Sequence, residues 1–221
     1  MNIGTKSLLY GYHQFILHPL IVAACWTRLY GFPFDPRLWV CFVVHDWGYW
    51  GKPNLDGPEG ETHVELGARI MARLFDDSPL ATVMDICFGF RPQGSSWKVF
   101  SLYHSRFYAR RDKVEPSRLC YADKAAIAWT PSVVQLTLMR FTGEWKEYVL
   151  GHNGRTPANP GDSLETWCGK MRAVCREIIV GQKTEKPLAY YLQRNEMFAG
   201  LAVVGWWLVI FLLLAIIILR T

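Results

Sequence analysis

No Cys-x-x-Cys pair occurs among the six cysteines, Cys25, Cys41, Cys87, Cys120, Cys168 and Cys175. Cys25, Cys41, Cys87 and Cys120 sit in apolar runs and read as small core residues. Long apolar runs are scarce too. Only one stretch could cross a bilayer, which excludes a polytopic membrane protein. No segment alternates polar and apolar residues as a strand does, and no internal repeat appears. Charge of one sign is also lacking. Lys and Arg number 24 against 19 Asp and Glu; leaving out 187–221, which hold Arg194, Glu196 and Arg220, the balance is 22 against 18. That excess is too mild to imply nucleic acid, and nucleic acid is not an expected partner; a basic face near an anionic leaflet is the more modest inference. The segment from Met1 to Tyr12 carries one lysine and no apolar core of useful length, so no signal peptide is expected.

What is present is a hydrophobic fraction of 51% and an aromatic fraction of 14% in 221 residues, with ten tryptophans. This excludes a disordered chain and suits one domain of ordinary size plus an appendage. The appendage is the run from Phe198 to Leu219, 22 residues without a charge. As a helix it would be about 33 Å long, enough to span a hydrocarbon core. Arg172, Arg176, Lys183, Lys186 and Arg194 precede it and only Arg220 follows, which orients the main domain to the cytoplasm. The expected organisation is a helical domain over 1–182, a connector over 183–197 and a single-pass transmembrane tail anchor over 198–219. Disulfides are not expected of such a cytoplasmic domain.

Apolar residues recur at helical spacing nearly throughout. Helices are expected over Ile16–Tyr30, from the Asp35-Pro36 cap to about Trp50, and over Glu61–Phe75. Others follow from Ser78-Pro79 to Phe88, over Trp97–Arg111, from Pro116-Ser117 to Trp129 and from Pro131 to about Phe141. A last one runs from Asp162-Ser163 to about Val180. Gly89–Gly94 and Gly151–Gly161 read as loops. The fold class is all-α, with a C-terminal transmembrane helix.

Polar residues that interrupt apolar helices carry the chemistry. His45-Asp46 ends the run Leu38-Trp39-Val40-Cys41-Phe42-Val43-Val44. A buried carboxylate needs a cation or strong donors, and a metal ion satisfies the carboxylate and the imidazole together. Gly48 lets the chain turn close to the site. His18 precedes Pro19-Leu20-Ile21-Val22-Ala23-Ala24, His63 opens Val64-Glu65-Leu66-Gly67-Ala68, His104 lies in Leu102-Tyr103-His104-Ser105-Arg106, and Asp123 follows Cys120-Tyr121-Ala122. Each alone reads as a hydrogen-bonded residue. Together, four His and two Asp on five helices fit the way helical bundles build metal sites from inward side chains.

In that order, His … His-Asp-x-Gly … His-x-x-x-Gly-Ala … His … Ala-Asp-Lys, the chain resembles the HD-domain metal-dependent phosphohydrolase superfamily over roughly residues 13–130. The resemblance implies an all-helical domain in which His18, His45, Asp46 and Asp123 hold one divalent metal. It also implies that His63 and His104 hold a second metal, with Asp46 bridging, or serve phosphate and proton transfer. It makes the chain a membrane-anchored phosphohydrolase of nucleotides or other small phosphoesters. Asp46, His63, His104 and Lys124 would be its catalytic residues, with one or two divalent ions as cofactor. Two alternatives stay open: a dinuclear-iron oxygenase of the same superfamily, and a non-catalytic nucleotide-binding membrane module. Family members carry Lys shortly after His-Asp-x-Gly; here Tyr49 and Trp50 stand there and the nearest lysine is Lys52. Outside the ligand set, His13 reads as a hydrogen-bonded neighbour and His152 as a solvated loop residue. Arg106 and Arg110 would share a helix face and could receive phosphate oxygens or simply cap a solvated helix end. Asp56, Glu59 and Glu61 lie in a Gly/Pro-rich loop that reads as a solvated connector or as a lid over the metal.

Overall fold

Side-chain caps start four of the helices. The Asp35 carboxylate accepts the Arg37 N–H at 2.9 Å with Pro36 at the first helical position. Ser96, Ser105 and Ser163 likewise accept backbone N–H groups of the turns they precede. The computed structural model describes residues 1–90, 92–149, 159 and 161–182. In chain order the helices are α1 Ile3–Tyr10, α2 Leu17–Tyr30, α3 Pro36–Val44, α4 Pro58–Glu61, α5 Val64–Phe75, α6 Pro79–Phe88 and α7 Trp97–Leu102. They continue with α8 Arg106–Arg111, α9 Arg118–Trp129, α10 Ser132–Thr142, α11 Trp145–Val149 and α12 Leu164–Val180. Short 3₁₀ turns occupy Trp47–Tyr49 and Gln93–Ser95. Among the described residues there is no strand, as the spacing of apolar residues implies.

At the centre lies α9, whose Leu119, Cys120, Ala122, Ala125 and Ala126 are wholly buried. Its small side chains let α2 and α12 both pack directly against it. The α5 helix packs on α7 and α3, closing the other side of the core around Phe42, Met71 and Phe100. Arg37 is wholly buried at the edge of this core. It meets Asp35 at 2.7 Å and Asp85 at 2.5 Å, and its guanidinium lies 4.8 Å from the Trp97 ring centre. A buried guanidinium survives because every side of it is answered.

Several boundaries differ from expectation, each for a local reason. The helix from Asp35 stops at Val44 rather than Trp50, so His45 and Asp46 fall in the turn that follows. The third ligand helix begins at Val64, after the separate short helix Pro58–Glu61. Trp97–Arg111 is two helices, because the Ser105 hydroxyl caps a new one and breaks the chain direction at Tyr103–Ser105. Cys87 is exposed on α6 instead of buried, beside the exposed Val83 and Ile86. All six cysteines are free. The connector over 183–197, the apolar run over 198–219 and His152 lie outside the described residues. Among the described residues no helix is long and apolar enough to cross a membrane.

Glu144, between α10 and α11, is wholly buried and accepts the Tyr12 N–H at 2.8 Å, which ties the start of the chain to its later helices. Burial raises its pKa from 4.5 to about 7, against hydrogen bonds from Ser7 and the Tyr12 amide. An acid raised in the native state holds its proton more tightly when folded. Its contribution to stability is therefore present below the unfolded value and lost as pH rises through about 7. In urea unfolding this one group should contribute a fall of roughly 3 kcal/mol between about pH 5 and about pH 8, set against the opposite rise that His13 and His63, lowered to about 4 and about 3, add over the lower part of that range. In Glu144→Gln, which keeps an acceptor for Tyr12, that fall should be largely absent.

Candidate metal centre

Asp46 follows the last turn of α3 with φ −99° and ψ 0°, the conformation in which an α-helix gives way to the 3₁₀ turn. Its two carboxylate oxygens face opposite histidine pairs. Oδ2 lies 3.2 Å from His18 Nε2 and 3.3 Å from His45 Nε2. Oδ1 lies 3.5 Å from His104 Nε2 and 3.6 Å from His63 Nε2. Asp123, from the middle of α9, completes the first pair with Oδ1 at 3.3 Å from His18 Nε2. All six expected ligands are buried and converge on one place. One atom each from His18, His45 and Asp123 lie within 4.8 Å of one another, as do atoms from His45, Asp46 and His104. His63 stands outside both groups and reaches the centre through Asp46 and the His104 ring, 5.4 Å away between centres.

Three of the rings are held in the same way. His45 Nδ1 contacts the Phe42 carbonyl at 2.8 Å, His63 Nδ1 the Gly60 carbonyl at 2.7 Å and His104 Nδ1 the Ser101 carbonyl at 2.6 Å. Since a carbonyl only accepts, Nδ1 carries the hydrogen and Nε2 keeps its lone pair toward Asp46. In each case the carbonyl is three residues back, so a single helical turn orients the ring. His18, early in α2, is held instead by packing against Tyr12, His13 and His45, with ring centres 5.4, 5.3 and 5.3 Å away. Tyr49 stacks on His63 at 4.0 Å with a 7° tilt.

These atoms fit a cation. His18 Nε2, His45 Nε2, His104 Nε2 and Asp46 Oδ2 are buried with no hydrogen-bond partner. Each buried polar atom left so costs about 1–3 kcal/mol, and a metal would answer all four. The electrostatics agree. Burial alone would raise both aspartates, yet the imidazoles around it, His45 first, hold Asp46 well below the ordinary carboxylate range. Lys124 and His18 do the same for Asp123. Burial opposes a charge on His18, but the Asp123 and Asp46 carboxylates beside it lift it to about 9. The pair of carboxylates calls for positive charge, and a proton or a metal can supply it. His63, by contrast, is pushed down to about 3 by burial and so stays neutral.

Close backbone approach brings the second pair in. A Cβ on Gly48 would stand 1.8 Å from the His63 carbonyl oxygen, so only glycine lets the 3₁₀ turn lie against the start of α5. Gly67, one turn later, meets the Val44 carbonyl at 2.7 Å from its own would-be Cβ.

A cleft enclosing about 1070 Å³, part of it open to solvent, lies over the site. Asp46, His63, His104 and Asp123 face it, and so do Arg106, Arg110 and Lys124, whose Nζ is 2.8 Å from Asp123 Oδ2. Of the loop acids, Asp56 and Glu61 line the cleft, whereas Glu59 turns to Asn54 on the surface. Lys52 reaches Thr62 Oγ1 at 2.5 Å. His13 lines the cleft with Nδ1 2.8 Å from Ser7 Oγ, and burial lowers it to about 4. Sequence reasoning missed the wall of the cleft beyond residue 130: Gln135, Met139, Tyr148, Trp167 and Met171. Their helical spacing looks like that of any core residue, and no local signal separates the two.

No family model, curated protein or solved structure matches the chain. The site therefore stands on its own geometry: buried His and Asp groups that could hold a metal ion.

Metal analysis of purified variants tests it. Asp46→Ala, which removes the carboxylate common to both pairs, should abolish metal binding. His63→Ala and His104→Ala should each lower the metal-to-chain ratio while leaving some metal on His18, His45 and Asp123. Gly48→Ala should lower the ratio with every ligand intact, because the His63 backbone must move. Full metal content in Asp46→Ala would sink the assignment.

Proposed function

We propose that this chain is a metal-dependent phosphohydrolase of the HD-domain kind, acting on a small phosphoester. The observation that carries the reading is the Asp46 carboxylate, with one oxygen toward His18 and His45 and the other toward His63 and His104. That arrangement favours two divalent ions over one. His18, His45, Asp46 and Asp123 would hold the first ion, and His63, His104 and Asp46 the second. A divalent ion supplies Lewis acidity toward a phosphoryl oxygen and a nucleophilic water near neutral pH.

The chain's own groups supply the rest. Arg106 and Arg110, four residues apart on α8, turn onto the cleft, where their guanidinium groups can bind phosphoryl oxygens in pairs. Lys124 is kept protonated despite burial, chiefly by the Asp123 charge, and adds a third cation on the same wall. These cations stand in for the lysine that the family carries after His-Asp-x-Gly. His63, held neutral, suits a ligand or a base better than an acid. The same bridged pair would also serve an iron oxygenase, but three cations on the cleft favour a phosphorylated substrate. The uncharged run over 198–219 supports a further proposal, that the domain is held to a membrane by one span with its bulk in the cytoplasm.

Two measurements test the proposals. Metal-loaded protein should hydrolyse at least one member of a phosphomonoester and phosphodiester panel without oxygen, and Lys124→Met and Arg106→Met should raise KM about tenfold. Oxygen-dependent turnover without hydrolysis would favour the oxygenase instead. Deleting 187–221 should release the protein from membranes with its metal content unchanged. Full-length protein recovered as a soluble monomer without detergent would refute the anchor.

A further inference from the structure

The wall of the cleft made by α10, α11 and α12 contributes nothing to the metal ligands, and it holds two hydrogen-bond donors that find no partner among the described residues. Gln135 of α10 is wholly buried and lines the cleft. Its Oε1 accepts the Cys168 thiol at 3.2 Å, which leaves the amide N–H groups, and Nε2 has no partner. Trp167 of α12 is 3% exposed and also lines the cleft, and its indole Nε1–H has no partner. Its ring stacks on Tyr148 at 5.2 Å and 18°. Met139 and Met171 complete the wall with thioethers. Buried donors are nearly always satisfied, and two in one wall of one cleft, unanswered among the described residues, suit an acceptor brought by a molecule in the cleft.

We infer that this wall is the subsite for the non-phosphate part of the substrate, and that it takes a flat ring bearing hydrogen-bond acceptors. The inference rests on the phosphohydrolase reading for the other end of the molecule. An acyl or alkyl chain would fill the same space but would bury both N–H groups against hydrocarbon, which is unfavourable. A bare sugar would satisfy the donors but would not use the Trp167–Tyr148 stack or the thioethers, which pack best against ring faces and edges. A ring with acceptor atoms answers both demands. The sites then divide the labour: Arg106, Arg110 and Lys124 take the phosphate, and Gln135 and Trp167 choose what it is attached to. Sites built to hydrogen-bond a substrate reject the analogue lacking the partner atom strongly, so this wall would set specificity.

A matched series tests it with the full-length, metal-loaded protein in detergent at about pH 8, where a pyridine is neutral. The probes are 4-pyridylmethyl phosphate, benzyl phosphate, hexyl phosphate and inorganic phosphate, with binding read by calorimetry and turnover read separately. The pyridyl compound should bind about tenfold tighter than the benzyl compound, and the hexyl compound weakest of the three esters. Trp167→Phe and Gln135→Met should each remove most of the pyridyl advantage while leaving inorganic phosphate affinity unchanged. Equal affinity for the pyridyl and benzyl esters in the native protein would overturn the inference, and so would an advantage that survives both substitutions. If Gln135→Met fails to fold, the native series and Trp167→Phe decide alone. Hydrolysis without ring preference would sink the subsite and spare the phosphohydrolase. Ring preference without hydrolysis of any ester would do the reverse.

Discussion

One carboxylate, that of Asp46, sets the terms for the rest of the molecule. It is an anion 5% exposed to solvent, and taking it out of water is tolerable only if cations or strong donors answer it, and the groups that can bring them surround it on both faces. His18 and His45 stand on one face and His63 and His104 on the other. Those side chains come from α2, the end of α3, the start of α5 and the break between α7 and α8. The helices must therefore approach within side-chain reach of a single point. Alanines along α9 and glycines at 48 and 67 permit that approach; the stacked and tilted aromatics of the core hold it.

The ends of helices, more than their middles, supply the histidines of the candidate centre. His45 sits where α3 stops, His63 immediately before α5 starts, and His104 in the three-residue gap that Ser105 forces between α7 and α8. A residue at an end can aim its ring along the helix axis and still bond a carbonyl of the adjacent turn. Asp123 and His18 come from within helices and arrive across the packed α2–α9 interface. The centre thus combines ring positions fixed by local turns with positions fixed by packing.

Much of this was legible from residue order alone. His and Asp interrupting apolar runs marked the six residues that converge at the candidate centre, and Asp35-Pro36, Ser78-Pro79 and Ser163 marked helix starts close to where they fall. The illegible parts share a cause: a polar residue inside a helical pattern does not say which way it faces. Arg37, Gln135 and Glu144 are wholly buried with no local sign of it, because Asp85, Cys168 and Tyr12, which they meet, lie far along the chain. Cys87 errs in the opposite direction: it lies in an apolar stretch of α6 yet faces outward beside the exposed Val83 and Ile86. The break at Tyr103–Ser105 was readable in principle from Ser105 as a cap, but the apolar spacing ran through it.

The main-chain anchors of His45, His63 and His104 carry an implication for how such a site drifts over time. Where a neighbouring aspartate orients an imidazole, a single codon change at that aspartate can misorient it. Here the orienting oxygens belong to Phe42, Gly60 and Ser101 as peptide carbonyls, and every amino acid has one. The side chains at those three positions are free to answer to other demands, whether core volume at Phe42 or a tight turn at Gly60, without disturbing the rings. Heritable damage to ring orientation must come through the path of the backbone itself, so among point substitutions the sensitive ones are those that move the main chain, such as at Gly48 and Gly60, where a Cβ would meet neighbouring backbone.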